Sequence, residues 1–184
     1  QQLDTHKLFC NCPSILRNDE PTFIIERKLH AVAGEKGEVD ISAQHEAKKD
    51  KEFNYQGYES TCLIEIDEEP PHHINFEALQ ICLHVALLLH CTIYPISQIM
   101  RKTVIDGSNT SGFQRTVLIA HDGYVETKLG KVRIDSVSLE EDAARIISEE
   151  FGKKVFRLDR LGIPLIEIAT APDMTHSEQV KKWH

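Results

Sequence analysis

Three consecutive carboxylates, Glu140, Glu141 and Asp142, stand among apolar residues in the stretch RIDSVSLEEDAARIISEEF, residues 133–151. Like charges side by side repel, so the triplet needs a field that makes it tolerable. A helix start supplies one. Ser138 followed by Glu141 has the spacing of a capping box, acids in a first turn suit the helix dipole, and Leu139, Ala143, Ile146 and Ile147 continue at helical intervals. A cation supplies the other. In that case Arg133 to Leu139 is a strand, with Ile134, Ser136 and Ser138 alternating against Asp135, Val137 and Leu139, and the acids gather at its end. Local signals favour the helix. Glu167 raises the same question inside the apolar run PLIEIAT (164–170), where an unpaired buried carboxylate is costly. It must pair with a base such as Arg157 or Arg160, hold a metal, or point out of the sheet. The alternation of Leu165, Glu167 and Ala169 against Ile166 and Ile168 allows the last.

Two other groups carry chemical potential. KLFCNCP holds Cys10 and Cys12, and Cys62 follows far downstream. Two thiolates separated by one residue can reach one tetrahedral ion, but a closed zinc site takes four ligands. Glu65 offers an oxygen and His6 a nitrogen; without them the cysteines are small buried residues. MRKTVIDGSNTSGFQRT, residues 100–116, combines Arg101, Lys102 and Arg115 with Gly107 and Gly112. Glycines let backbone N–H groups approach an anion, and basic side chains add countercharge. The G-x-x-x-x-G-K spacing is absent, and the stretch reads more simply as a polar surface loop. Neither H-E-x-x-H nor G-x-S-x-G occurs.

These residues need a scaffold. TFIIERKLHAV (22–32) reads as a strand running to a turn at Gly34 and Gly37. EAKKDKEFNYQGYES (46–60) is charged and polar and reads as an exposed or mobile connection, and TCLIEI (61–66) as a short strand. After Pro70 and Pro71, Asn75 is placed to cap a helix from Phe76 to about His90. Its apolar face of Leu79, Cys82, Leu83, Ala86 and Leu87 is suited to packing on a sheet. TVLIA (116–120), KVRIDSV (131–137), KVFRLDRL (154–161) and PLIEIAT then give closely spaced strands separated by glycines. The pattern predicts an α+β class with a mostly antiparallel sheet and packed helices.

The totals narrow the partners. A chain of 184 residues is one domain, or one with a subdomain, and its net charge of −8 argues against a polyphosphate-coating surface. Nucleic-acid contact should be local. No apolar run approaches the roughly 20 residues that cross a bilayer, and an odd set of five cysteines weakens a disulfide framework. A reducing, cytoplasmic setting is the expectation. The start at Gln1, and a capping box at Thr175 and Glu178 close to the final residue, suggest a piece of a longer protein.

KLFCNCP, CLIEIDEEPP, MRKTVIDGSNTSGFQRT, SLEEDAARII and LDRLGIPLIEIATAPD, in this order, closely resemble the archaeal, E-type members of the glutamyl-tRNA(Gln) amidotransferase family. The B-type members of bacteria and organelles share a looser form. The resemblance covers essentially the whole chain. It implies a glutamine-synthetase-like cradle of antiparallel strands and helices, with residues 1–184 as part of it. An N-terminal strand bearing a Glu and a His, and the tRNA-binding, helical and tail regions, would lie outside, leaving the isolated piece inactive. It implies an ATP-dependent ligase that phosphorylates the glutamate of mischarged tRNA(Gln) and aminates it with ammonia from an asparaginase-like, D-type partner, in a heterotetramer of two D-type and two E-type chains. Glu140, Glu141 and Glu167 become the catalytic, magnesium-holding acids, and Arg101, Lys102 and Arg115 the phosphate or acceptor-end contacts. The B-type zinc pattern would have cysteine where this chain has Glu65, which excludes a four-cysteine site and leaves Cys10, Cys12 and Cys62 as candidate zinc ligands. Two rival readings are a non-catalytic platform for tRNA or a partner protein, and a carboxylate–amine ligase acting on a free amino acid.

Overall fold

The computed structural model describes residues 1–28, 37–39, 41–47, 52–128, 130–150 and 152–183. Among them the elements run β1 (Phe23–Lys28), α1 (Ile41–Ala47), β2 (Glu52–Gly57), α2 (Phe76–Leu88), β3 (Thr92–Ile93), β4 (Ile99–Thr103), β5 (Phe113–Thr127), β6 (Gly130–Glu141), β7 (Arg145–Glu150), β8 (Lys153–Arg157), β9 (Pro164–Thr170) and α3 (Ser177–Trp183). They form two sheets. In the larger, β3, β5, β6 and β9 are neighbours in that order and β4 also pairs with β5, every pairing antiparallel. The smaller has the order β1-β2-β8-β7, antiparallel except for β2 with β8. The α+β class and the antiparallel bias are as the sequence implies.

Each sheet has its own core. Asn75 caps α2 by accepting a hydrogen bond from the Ala78 N–H, and the helix lays Ala78, Cys82 and Ala86 against Val117, Ile119, Val137, Leu139 and Ile166. Small residues on that face let the helix lie close to the sheet. The second core joins Phe53, Tyr55, Phe156, Leu158, Leu161 and Ala144. Leu139 belongs to the first core and Ala144 to the second, so the acid triplet lies where one chain segment passes from sheet to sheet.

Several expectations are corrected. Ser138 and Glu141 start no helix, because β6 runs through Glu141 and is paired on both edges, with β5 and with β9. Two ladders and the burial of Ile134, Val137 and Leu139 outweigh a cap worth about 1 kcal/mol. Residues 52–57 are a strand rather than an exposed connection: Phe53 and Tyr55 alternate inward and are buried, a period-two signal hidden by polar neighbours. Residues 48–51 lie outside the described residues, as do 29–32 of the first expected strand. TCLIEI is a series of turns closed by Glu65 N–H to the Cys62 carbonyl at 3.2 Å and Asp67 N–H to Ile64 at 3.1 Å. The strand expected over 154–161 stops at Arg157.

Candidate functional site

Consecutive residues of a strand face opposite ways, and that places the acids. Glu140 is opposite Thr116 on β5 and Leu165 on β9, while Ser138, two residues away on the same face, is opposite Glu167. Glu140 and Glu167 therefore sit diagonally on adjacent strands of one face. Lys102 shares it, since Lys102 pairs with Gln114, two residues from Thr116. The Thr116 hydroxyl donates to Glu140 Oε1 at 2.9 Å. Burial raises the Glu140 carboxyl above its ordinary range; the Thr116 hydrogen bond opposes this, the charge of Glu167 adds to it, and Lys102 opposes it again. Two carboxylates held together near one lysine can share a divalent cation or a proton.

Glu141 faces the other way, toward the N-terminal loop, with which it lines a small cavity. It accepts from the Arg115 N–H at 2.9 Å and from Arg115 Nη1 at 3.1 and 3.3 Å, and the side chains are only 6% and 11% exposed. Burial raises the Glu141 carboxyl, and the Arg115 charge and hydrogen bonds oppose the rise. Arg115 also lies over the rings of Phe9 and Phe113. Arg101, its direct cross-strand neighbour, lies over Phe113 from β4. A cleft of about 340 Å³ opens here, lined by Phe9, Pro71, His72, Ile99, Arg101, Phe113 and Arg115. Asp142 takes a third course: Oδ1 accepts from the Ala143 N–H at 2.8 Å and Oδ2 from Gln2 Nε2 at 2.7 Å.

The acids and bases expected to act together are thus divided by the sheet. Glu140, Glu167 and Lys102 share one face; Glu141, Arg115 and Arg101 share the opposite one. One ion on either face cannot reach all three glutamates along a regular strand. Glu167 does not use the arginines suggested by sequence. Arg157 instead donates to Gln56 Oε1 and to the Arg17 carbonyl, both at 3.0 Å, and Arg160 to the carbonyls of Ala143 and Ala144 at 2.9 and 3.1 Å.

Cys10, Cys12 and Cys62 do converge, and Glu65 joins them: the three sulfurs and a carboxylate oxygen lie within 4.8 Å of one another. The loop 7–12 is closed by the Lys7 N–H to the Cys12 carbonyl at 3.0 Å, and the Cys62 N–H donates to Glu65 Oε2 at 2.9 Å. Hydrogen bonds from Cys10 and Cys12 hold the Cys62 thiol well below the ordinary thiol range, while burial raises the Glu65 carboxyl against the pull of Lys7. Three sulfurs and one oxygen suit tetrahedral zinc. His6 is not part of the group; its Nδ1 lies 2.9 Å from the carbonyl oxygens of Lys7 and Cys10. Sequence reasoning missed Thr116 and Lys7. Thr116 is visible only once the strand register is known, and a lysine in KLFC carries no local sign that it is buried.

Fold and site together define a two-sheet α+β domain that carries acids and bases on both faces of its larger sheet. The chain belongs to the GatB/GatE catalytic domain family, whose model matches residues 1–184. It is 56% identical over 184 residues to the E-type chain of the glutamyl-tRNA(Gln) amidotransferase of Methanocaldococcus jannaschii, covering 99% of this chain and 29% of that protein. The same-named proteins of Methanothermobacter thermautotrophicus and Methanobrevibacter smithii are 52% and 50% identical, each over 99% of this chain and 30% of theirs. The chain therefore spans under a third of the length of these relatives. Among the described residues no helix is long and apolar enough to cross a membrane.

Proposed function

We propose that the chain is the acid-bearing part of a cytoplasmic, ATP-dependent amidotransferase that converts Glu-tRNA(Gln) to Gln-tRNA(Gln), built on a glutamine-synthetase-like cradle. The observation that carries this reading is the diagonal placement of Glu140 and Glu167 on one sheet face beside Lys102. A glutamate side-chain oxygen attacks the γ-phosphorus of ATP, the bond to the β-phosphate oxygen breaks, and ADP leaves. Ammonia then adds its lone pair to the activated carbonyl carbon, the bond to phosphate breaks, and a proton is lost to leave the amide. Magnesium, held by Glu140 and Glu167, would neutralise phosphate charge. Lys102 steadies phosphate oxygens on that face. Glu141 is a positioning residue here, because it fixes Arg115, which with Arg101 forms the wall of the aromatic cleft suited to the acceptor end or to phosphate.

Ammonia would come from an asparaginase-like, D-type partner, with two D-type and two E-type chains in the complex. The full-length protein with that partner tests the reading. Glu-tRNA, and not free glutamate, should stimulate ATP hydrolysis, and Glu140→Gln should abolish amidation while tRNA binding persists. Undiminished amidation by Glu140→Gln removes the catalytic assignment. Stimulation by free glutamate would favour a carboxylate–amine ligase of small substrates. The Arg101–Phe113–Arg115 cleft is the feature that favours the platform reading; there, loss of Arg101 would weaken binding in a salt-dependent way while the acid substitutions do little.

A further inference from the structure

Asn109 lies in the loop between β4 and β5 with only 3% of its surface exposed, and its side-chain Nδ2 is buried without a hydrogen-bond partner among the described residues. An amide N–H shut away from water and left unpaired is costly, and each such group asks for an explanation. The backbone is not free to swing the side chain out. The Ser108 carbonyl accepts the Ala144 N–H at 2.8 Å, the Asn109 carbonyl accepts the Gly112 N–H at 2.9 Å, and the Thr110 hydroxyl donates to the Glu65 carbonyl at 2.8 Å. The loop is therefore moored on both sides of the unpaired amide.

Asn109 is part of the wall of a cavity of about 20 Å³, together with Lys7, Glu65, Ser111, Arg115 and Glu141. That is room for about one water, and a cavity with polar walls fills where an apolar one stays dry. The walls offer the partners that a water needs. Asn109 Nδ2 has a donor to spend. Glu141 Oε1 accepts the Arg115 N–H at 2.9 Å and Nη1 at 3.1 Å, whereas Oε2 accepts only Nη1, at 3.3 Å, and keeps acceptor capacity. Lys7, itself 3% exposed, gives N–H donors to Glu65 Oε1 and to the Leu158 carbonyl, which leaves one of an ammonium's three. Two donors and an acceptor around one small space lie within the two to four polar partners that hold an internal water.

We infer that this cavity is a binding site for a single internal water, which accepts from Asn109 Nδ2 and donates to the Glu141 carboxylate, joining the loop at 104–112 to the buried Glu141–Arg115 pair. The inference does not depend on the amidation reading. Hydrogen bonds to both oxygens of a buried carboxylate favour its charged form, the form that grips Arg115. Asn109 thus supports Arg115, and the cleft that Arg115 walls, through a solvent molecule and an acid rather than by direct contact.

The experiment compares crystal structures of the full-length protein and of Asn109→Leu, each at a resolution that shows ordered solvent elsewhere in the interior. The parent should show one solvent peak in the cavity, about 2.7–3.2 Å from both Asn109 Nδ2 and a Glu141 oxygen. Asn109→Leu, close in volume but without polar atoms, should lose the peak. In solution the magnetic relaxation dispersion of water should report one long-lived internal water fewer in Asn109→Leu than in the parent. An empty cavity in the parent, or Asn109 Nδ2 bonded directly to a protein oxygen, overturns the site. A peak that keeps its place and its Glu141 contact in Asn109→Leu overturns the role of Asn109. If Asn109→Leu fails to fold, Asn109→Ser replaces it: the shorter side chain should admit a second water beside the first, and a cavity still empty of solvent overturns the inference.

Discussion

Glu140 and Glu141 are adjacent in sequence and have little in common in the fold. Glu140 looks onto the sheet face it shares with a second acid and a lysine, while Glu141 looks into the core and is gripped by one arginine. Asp142, next in line, is occupied by a turn N–H and a glutamine. Three like charges are tolerable because the backbone sends them three ways. The contrast separates two kinds of buried acid. One is satisfied by the protein itself; the other is crowded by a like charge and is better suited to something added from outside.

The contrast can be broken by substitution. Glu141→Ala should be the most damaging to the fold, costing about 3–5 kcal/mol by leaving Arg115 buried without its partner. Thermal or urea unfolding of the full-length protein would show it, and replacing Arg115 by Met in the same chain should recover much of the loss. Glu140→Gln should do the reverse: the fold is not weakened, but amidation falls by about a hundredfold or more, a loss of about 3 kcal/mol of transition-state stabilisation. If both variants lost activity and stability to the same degree, the division between the two faces would be wrong.

A smaller effect should appear in the pH dependence. The folded Glu140 carboxyl has its pKa raised above 4.5 by burial first. Between that value and the raised one the folded state binds more protons, so its stability contribution is present at lower pH and is lost as pH rises. Glu140→Gln removes this dependence. The variant should gain on the parent in melting temperature as pH climbs above about 4.5, and millimolar Mg²⁺ should narrow the gap by stabilising only the parent. Parallel melting curves with pH, indifferent to Mg²⁺, would count against a charge-crowded Glu140. The smallest change is expected for Arg101→Ala: the slope of log affinity for tRNA against log salt should flatten by about one. An unchanged slope would remove Arg101 from the interface.

The parts of the fold legible in the sequence are those whose signal is local. Asn75 announces α2, and the apolar alternation of PLIEIAT gives β9 to the residue. Ser138 and Glu141 also send a local signal, for a helix, but it is overruled by strand partners about 20 or more residues away on either side. In residues 52–57 the charge of the flanking segment hid a strand whose inward side is aromatic. The candidate site was legible in kind but not in arrangement. Acids, bases and thiols can be named from the sequence, yet which face each occupies depends on register across β4, β5, β6 and β9. Lys7 could not be found at all, because its role rests on contacts with Glu65 and Leu158, 58 and 151 residues away.

The passage of the chain from one sheet to the other beside the acids has a mechanical meaning. Residues 142–144 are riveted by backbone bonds: Asp142 N–H to Ile163 at 2.8 Å, Gly162 N–H to Asp142 at 2.9 Å, and Ala144 N–H to Ser108 at 2.8 Å. Such a seam cannot slacken on one side alone. A displacement of the smaller sheet would therefore bear first on the backbone at the end of β6, where Glu140 and Glu141 are rooted, rather than being absorbed in a slack connection.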